Sequence, residues 1–232
     1  GYPNGYDCIG TQGTAKNILT VGAVNDVPSY TGPASVVMSS FSGWGPADDG
    51  RIKPDIVGNG VGLYSSLGGS NAQYASYSGT SMSAPNVTGS MALLQQLYQN
   101  THGDSIMRSS TLKALVINTA DECGNDTGPD YAFGWGLLNT ELAAEIILSD
   151  SAGNDIMREI ELTNGSSYSL DIYSNGVDPL TVTVVWTDPE HPALPASLDP
   201  ITPVLVNDLD LRLTEGATTY YPWKLDPASP AS

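Results

Sequence analysis

The sequence predicts an α/β domain with a mostly parallel sheet and flanking helices over residues 1–150, followed by an all-β domain over residues 151–232. A continuous apolar run typical of a buried strand, followed by stretches with helical apolar periodicity, predicts the first domain. A change to period-two alternation near residues 149–155 predicts the second.

The strands of the first domain are expected to be short and buried. Residues 18–24 are apolar without polar alternation and lie between Asn17 and Asn25. This pattern is typical of a strand covered on both faces. Residues 36–38 and 55–57 are further candidate strands, so a small sheet is expected before the first long helix.

Three helices are predicted after these strands. The first spans residues 83–99, and four apolar residues define one of its faces: Val87, Met91, Leu94 and Tyr98. The others span residues 110–119 and 140–148, and Asn139 is the expected N-cap of the third helix.

The C-terminal part alternates apolar and polar residues along four runs. These runs are residues 159–162, 168–173, 180–186 and 204–213. The pattern predicts antiparallel strands of a sandwich or barrel. Four or five strands rarely close such a fold, so this domain is expected to be incomplete.

Charge and hydropathy exclude two classes of partner. The net charge is −17 with 8 Lys and Arg residues, which argues against nucleic acid because phosphate binding needs clustered cations. No apolar run approaches the ~20 residues that would span a bilayer, so no membrane partner is expected. The acidic composition is typical of an extracellular, secreted protein and raises the prospect of calcium sites.

Two cysteines, Cys8 and Cys123, leave the redox state open. They could form one disulfide in an oxidising compartment, or remain as two free thiols. Together with two distant histidines they make no zinc motif.

The candidate chemistry lies in residues 79–85, at the start of the first long helix. A serine hydroxyl there, that of Ser81, would have unsatisfied backbone N–H groups beside it, and its own N–H could stabilise an oxyanion. Gly79 removes side-chain bulk where a substrate backbone must approach. The alternative is that Ser81 or Thr80 only caps the helix.

Residues 79–89 resemble the nucleophile motif of subtilisin-like serine proteases, the peptidase S8 family. Other segments resemble the same family in the same order: residues 12–24, 41–46, 50–55 and 134–139. The resemblance covers about residues 8–148. It implies the C-terminal half of a subtilisin-like catalytic domain, and the start at Gly1 within a Gly/Asn-rich loop agrees with a fragment.

The resemblance also implies roles for individual residues. Ser81 is the expected nucleophile of a secreted endopeptidase that hydrolyses polypeptide substrates through an acyl-enzyme and needs no cofactor for catalysis. Gly10 is expected to line the primary specificity pocket, and Phe41 the rim of the substrate cleft. Gly79 and Thr80, directly before the nucleophile, complete the predicted substrate-binding residues.

Three functional groups of the family are absent from this sequence. They are an aspartate, a histidine and an oxyanion-hole asparagine, all N-terminal to the segments seen here. His102 follows too far along the helix, roughly 30 Å away at ~1.5 Å per residue, and Lys113 is a remote candidate base. We therefore expect this chain alone to be inactive, with exposed apolar edges, and its partner to be the missing N-terminal half of the catalytic domain.

A protein of another class is the alternative hypothesis: a non-catalytic pseudoprotease, or a calcium-dependent binding module. Residues 185–188 and 205–211 resemble a jelly-roll-like, calcium-binding accessory domain of one subtilisin branch. Asp208 and Asp210 lie on one strand face by period two, or around a tight loop. The resemblance implies Asp210, and more weakly Asp226, as ligands of a structural Ca²⁺. Simple exposed acidic residues are the other interpretation.

Overall fold

The structure, a computed structural model, describes residues 5–177 and 179–231. Its helices are α1 (Thr80–Thr101), α2 (Ser109–Asn118) and α3 (Thr140–Ser149). Its strands are β1 (Val21–Val24), β2 (Ile56–Asn59), β3 (Leu63–Ser66), β4 (Tyr74–Tyr77), β5 (Leu213–Glu215) and β6 (Thr218–Tyr220). No helix in this described part combines the length and hydropathy needed to cross a membrane.

A parallel pair of strands forms the centre of the α/β unit. β1 and β2 run parallel with Val21 opposite Ile56. Single bridges extend the sheet on both sides, to Met38 beside β1 and to Leu137 beside β2. The parallel α/β architecture is therefore as predicted, although residues 36–38 contribute a bridge rather than a strand.

Helix α1 packs across this parallel pair. Val87 and Leu94 are fully buried in the main core cluster, and Met91 and Tyr98 pack against it, so the predicted apolar face is confirmed. Gly58 permits the close approach, because an added Cβ would lie 2.7 Å from Cγ2 of Val87.

The opposite side of α1 is open. Leu93 is 64% exposed, whereas Val87 and Leu94, on the side of α1 that faces the sheet, are buried. Other large apolar side chains are also exposed in this unit: Ile18, Val37 and Ile106. Exposed apolar surface agrees with the expectation drawn from the sequence and is unusual for a complete domain.

Two boundaries bear on the site. Helix α1 begins at Thr80, earlier than the predicted residue 83, so Ser81 lies inside the first helical turn. Asn139 is the N-cap of α3 as predicted, since its Oδ1 accepts a hydrogen bond from the backbone N–H of Leu142 (2.9 Å). The β3–β4 hairpin, which leads into α1, was not predicted from the sequence.

The C-terminal segment departs from the prediction. The described residues 155–177 and 179–212 contain no strand, and the only ladder beyond α3 in the part that the structure describes is the short β5–β6 hairpin. The four predicted strands are thus absent, with only Leu213 falling in one. The physical reason is that a period-two pattern becomes a strand only when neighbouring strands supply hydrogen bonds. Apolar residues of these runs remain exposed, as at Ile160 and Leu170.

Candidate active site

Ser81 occupies the second position of α1, immediately after Thr80. It is exposed, and no hydrogen bond engages its side chain within the described residues. The backbone N–H groups of a first helical turn have no partner inside the helix and carry partial positive charge. The hydroxyl is therefore accessible and stands where a developing negative charge would be stabilised.

Ser83 fixes the start of this helix to the sheet. Its side chain is fully buried, and its one hydroxyl hydrogen is shared between the carbonyl oxygens of Gly22 (Oγ to O, 2.7 Å) and Gly58 (2.9 Å). Because Gly22 belongs to β1 and Gly58 to β2, a single hydroxyl ties the nucleophile turn to both strands. This role was not predicted from the sequence, since nothing in the pattern distinguishes Ser83 from other small residues near a helix start.

Gly79 is the N-cap of α1, with φ 156° and ψ 162°. Only glycine adopts this region readily. An added Cβ would meet nothing closer than Sδ of Met82 at 3.6 Å, so backbone conformation rather than crowding requires glycine here. The backbone conformation alone therefore explains why glycine stands here. The role of Gly79 in substrate approach stays a prediction.

A cavity of about 310 Å³ adjoins the nucleophile turn. Three of the predicted substrate-binding residues line it together: Gly10, Phe41 and Thr80. An added Cβ at Gly10 would find nothing within 4 Å, so the space beside it is open. Phe41 is 46% exposed, as expected of a residue at the edge of a cleft.

Neither candidate base within the chain serves Ser81. His102 lies at the far end of α1, stacks on Tyr98 and contacts Oδ2 of Asp150 through Nε2 (3.2 Å). Lys113 pairs with Oδ1 of Asp55 (2.7 Å). The expectation that His102 lies too far along the helix agrees with its place at the opposite end of α1 from Ser81, and Lys113, the remote candidate, is engaged by Asp55.

The two cysteines are both free. Cys8 is exposed and lines the cavity, whereas Cys123 is 1% exposed and packs in the second core cluster. Burial raises the pKa of the Cys123 thiol to about 12, despite a hydrogen bond from the Leu137 backbone that lowers it. Of the two alternatives left open by the sequence, the structure has the free thiols.

We expect iodoacetamide to alkylate Cys8 and to spare Cys123 in the native protein, because only an accessible thiolate reacts. Peptide mapping by mass spectrometry, before and after denaturation in urea, measures both sites. Equal native modification of the two, or a peptide linked through both cysteines, would contradict this assignment.

The three predicted calcium ligands are exposed and do not converge. Asp210 forms a surface ion pair with Arg212 (3.3 Å), and Asp226 accepts a hydrogen bond from the backbone of Ala228 (3.0 Å). Among the described residues, no group of three or more His, Cys, Asp or Glu side chains has an arrangement that could hold a metal ion. A calcium site involving Asp208, Asp210 and Asp226 stays a prediction.

The fold and site place the chain in the class of subtilisin-like serine proteases: a parallel α/β sheet, a helix that begins with an exposed serine, and a cavity beside it. Comparison of the sequence with protein-family models agrees. The chain belongs to the subtilase family (peptidase S8), whose model matches residues 3–136.

Individual relatives match parts of the chain. C5a peptidase of Streptococcus pyogenes serotype M3 is 44% identical over 91 residues, covering 39% of this chain and 7% of that protein. The serine protease/ABC transporter B family protein tagA of Dictyostelium discoideum is 29% identical over 211 residues, covering 76% of this chain and 11% of that protein. The chain therefore spans only a small part of these curated relatives.

A solved structure supports the fold. The CspB protease of Clostridium perfringens superposes with a TM-score of 0.53 at 26% identity, covering 62% of this chain and 29% of that one.

Proposed function

We propose that this chain supplies the nucleophile and part of the specificity pocket of a secreted serine endopeptidase. The observation that carries the proposal is the exposed hydroxyl of Ser81 in the first turn of α1, beside the cavity lined by Gly10, Phe41 and Thr80. Membership of the subtilase family and the protease names of its relatives support it.

In this mechanism a polypeptide substrate places a side chain in the cavity and its scissile carbonyl carbon against Oγ of Ser81. Attack by Oγ forms the tetrahedral intermediate as the hydroxyl proton passes to a base. The backbone N–H of Ser81, at the positive end of α1, donates to the oxyanion. As the intermediate collapses, the base gives that proton to the departing amine and the acyl group stays on Oγ of Ser81; water then hydrolyses this acyl-enzyme and restores the hydroxyl.

We propose that the base, its orienting aspartate and a second oxyanion donor come from polypeptide N-terminal to the segment described. The open face of α1, with Leu93 exposed, supports a complementary half that packs there. We likewise propose that residues 151–232 begin an all-β, jelly-roll-like domain whose strands form once their neighbours are present.

Labelling with a fluorophosphonate probe tests the function directly. The complete protein that contains this chain should be labelled at Ser81, identified by peptide mapping, whereas this chain alone should not react. Absence of labelling at Ser81 in the complete, folded protein would favour the pseudoprotease or the calcium-dependent binding module instead.

Gly10→Val tests the pocket. Gly10 has φ −63° and ψ 151°, which any residue adopts, so the variant should fold normally. We expect kcat/KM for substrates with a large P1 side chain to fall about tenfold or more, because added bulk competes for the cavity, and small-P1 substrates to be little affected. Gly68→Val, at an exposed position with equally open space, is the control. Equal losses for large and small P1 residues would remove Gly10 from the pocket.

A further inference from the structure

Asp188, in the C-terminal segment, forms hydrogen bonds both with the catalytic unit and with its own segment. Its side chain is 4% exposed, and its Oδ2 accepts from Nζ of Lys16 (2.5 Å) and from the backbone N–H of Val206 (2.9 Å). Its Oδ1 accepts from the backbone N–H of Asn207 (2.7 Å). Asn17 completes the set, because its amide donates to the Asp188 carbonyl (2.8 Å) and accepts from the Asp188 N–H (3.0 Å).

The ammonium group of Lys16 makes three hydrogen bonds, all to residues of the C-terminal segment. Besides Asp188, Nζ donates to the carbonyl oxygens of Pro189 (2.7 Å) and Val204 (2.8 Å). These two carbonyls belong to the two ends of the Pro-rich loop at residues 189–204. One lysine thus closes the base of that loop and holds it against the catalytic unit.

The carboxylate of Asp188 is held in its charged form. Burial alone would raise the pKa of Asp188, but the hydrogen bonds from Lys16, Val206 and Asn207 outweigh it and lower the pKa to about 2. The charge-assisted contact with Lys16 therefore persists throughout the neutral range.

Lys16 and Asn17, which Asp188 binds, come shortly after the residues that form one wall of the cavity. We define this pocket wall as residues 8–13, of which Cys8, Ile9, Gly10 and Gly13 line the cavity. At its start, the backbone N–H of Cys8 donates to the carbonyl of Trp44 (2.9 Å). At its end, Oγ1 of Thr20 donates to the carbonyl of Gly13 (2.6 Å). The Asp188 contacts with Lys16 and Asn17 lie between Gly13 and Thr20 along the chain.

The Pro-rich loop also lies close to Thr14, the residue after this wall. A second cavity, of about 160 Å³, lies where Thr14 faces the loop. Its lining from the loop comprises Leu194, Pro200, Thr202 and Val204. Thr14, the residue that directly follows the pocket wall, therefore borders a cavity that the C-terminal segment helps to line.

We propose that Asp188 is a positioning residue for substrate binding: through Lys16 and Asn17 it fixes the pocket wall, so the C-terminal segment sets the shape of the specificity pocket. This inference rests on the proposed protease function. A pocket wall contacts substrate and transition state alike, so its displacement weakens uniform binding and raises KM more than it lowers kcat.

Kinetics of the complete protein test the proposal with Asp188→Asn, Lys16→Met and the double variant. We expect each single change to raise KM for a peptide with a large P1 side chain about tenfold, with kcat changed far less, because small misplacements of a binding group are costly. The double variant should show about the same KM as either single one, since both remove the same anchor. Fluorophosphonate labelling of Ser81 should be retained.

Asp171→Asn is the matched control, an exposed aspartate in the same segment. Circular dichroism checks folding, and Asn17→Ala provides a milder variant if Asp188→Asn does not fold. Wild-type KM in the folded Asp188→Asn and Asn17→Ala proteins, or equal losses for large-P1 and small-P1 substrates, would overturn the positioning role. Failure of the wild-type protein to be labelled would instead reject the protease function.

Discussion

Replacing Ser81 with alanine is expected to lower kcat of the complete protein by about 10⁶, the magnitude known for loss of the nucleophile in subtilisin itself. In the proposed mechanism the Oγ atom of Ser81 forms the covalent bond to the substrate, and alanine has no atom to take its place. Because Ser81 is exposed and its side chain makes no hydrogen bond within the described residues, its removal should leave the free energy of unfolding within about 0.5 kcal/mol.

Hydrolysis of a chromogenic peptide and fluorophosphonate labelling measure the effect. Ser76→Ala, an exposed serine of β4, serves as the matched control and should keep wild-type activity. Appreciable turnover by a pure, folded Ser81→Ala protein would place the nucleophile elsewhere and remove the central support of the proposed mechanism.

Asp55→Asn is expected to lower the free energy of unfolding by about 3–5 kcal/mol. The Asp55 carboxylate is buried directly before β2 and contacts Nζ of Lys53 (2.5 Å), Nζ of Lys113 (2.7 Å) and the backbone N–H of Thr20 (2.7 Å). Lys53 is itself 2% exposed. Removing the one negative charge leaves two ammonium groups together in a largely buried site.

The loss should depend on pH in a defined direction. Burial lowers the pKa of Lys53, and the charge of Asp55 opposes that effect. In the variant the pKa of Lys53 falls further, so the native state releases a proton that the unfolded state still binds below its ordinary pKa of about 10.4. The stability of Asp55→Asn should therefore rise with pH towards that value.

Urea denaturation of the complete protein at several pH values measures both effects. Asp26→Asn, at an exposed position in the same unit, should change stability by less than about 0.5 kcal/mol. A small, pH-independent loss for Asp55→Asn would show that the two lysines do not depend on this carboxylate.

The sequence predicted those site residues that belong to a continuous motif. Ser81, Gly79 and Thr80 follow one another at a helix start, and the structure places Thr80 beside Gly10 and Phe41 at one cavity. Ser83 and Asp188 could not be found in this way. Their roles depend on partners distant along the chain, which periodicity and spacing do not reveal.

In the C-terminal runs, by contrast, the sequence pattern predicted structure that the fold does not contain. Their alternation predicted strands, yet the residues described between 155 and 212 form none, because strand formation needs ladder partners that a local pattern does not supply.

By itself the sequence determined the local structure and the chemical groups: the amphipathic α1, its N-terminal serine, the buried β1 and β2, and the absence of cation clusters. These follow from the chemistry of consecutive or periodic residues. Only the tertiary structure decided which distant groups meet, such as Ser83 with both strands and Asp188 with Lys16. The physical reason is that burial and hydrogen bonding between remote segments depend on how the backbone is packed in three dimensions.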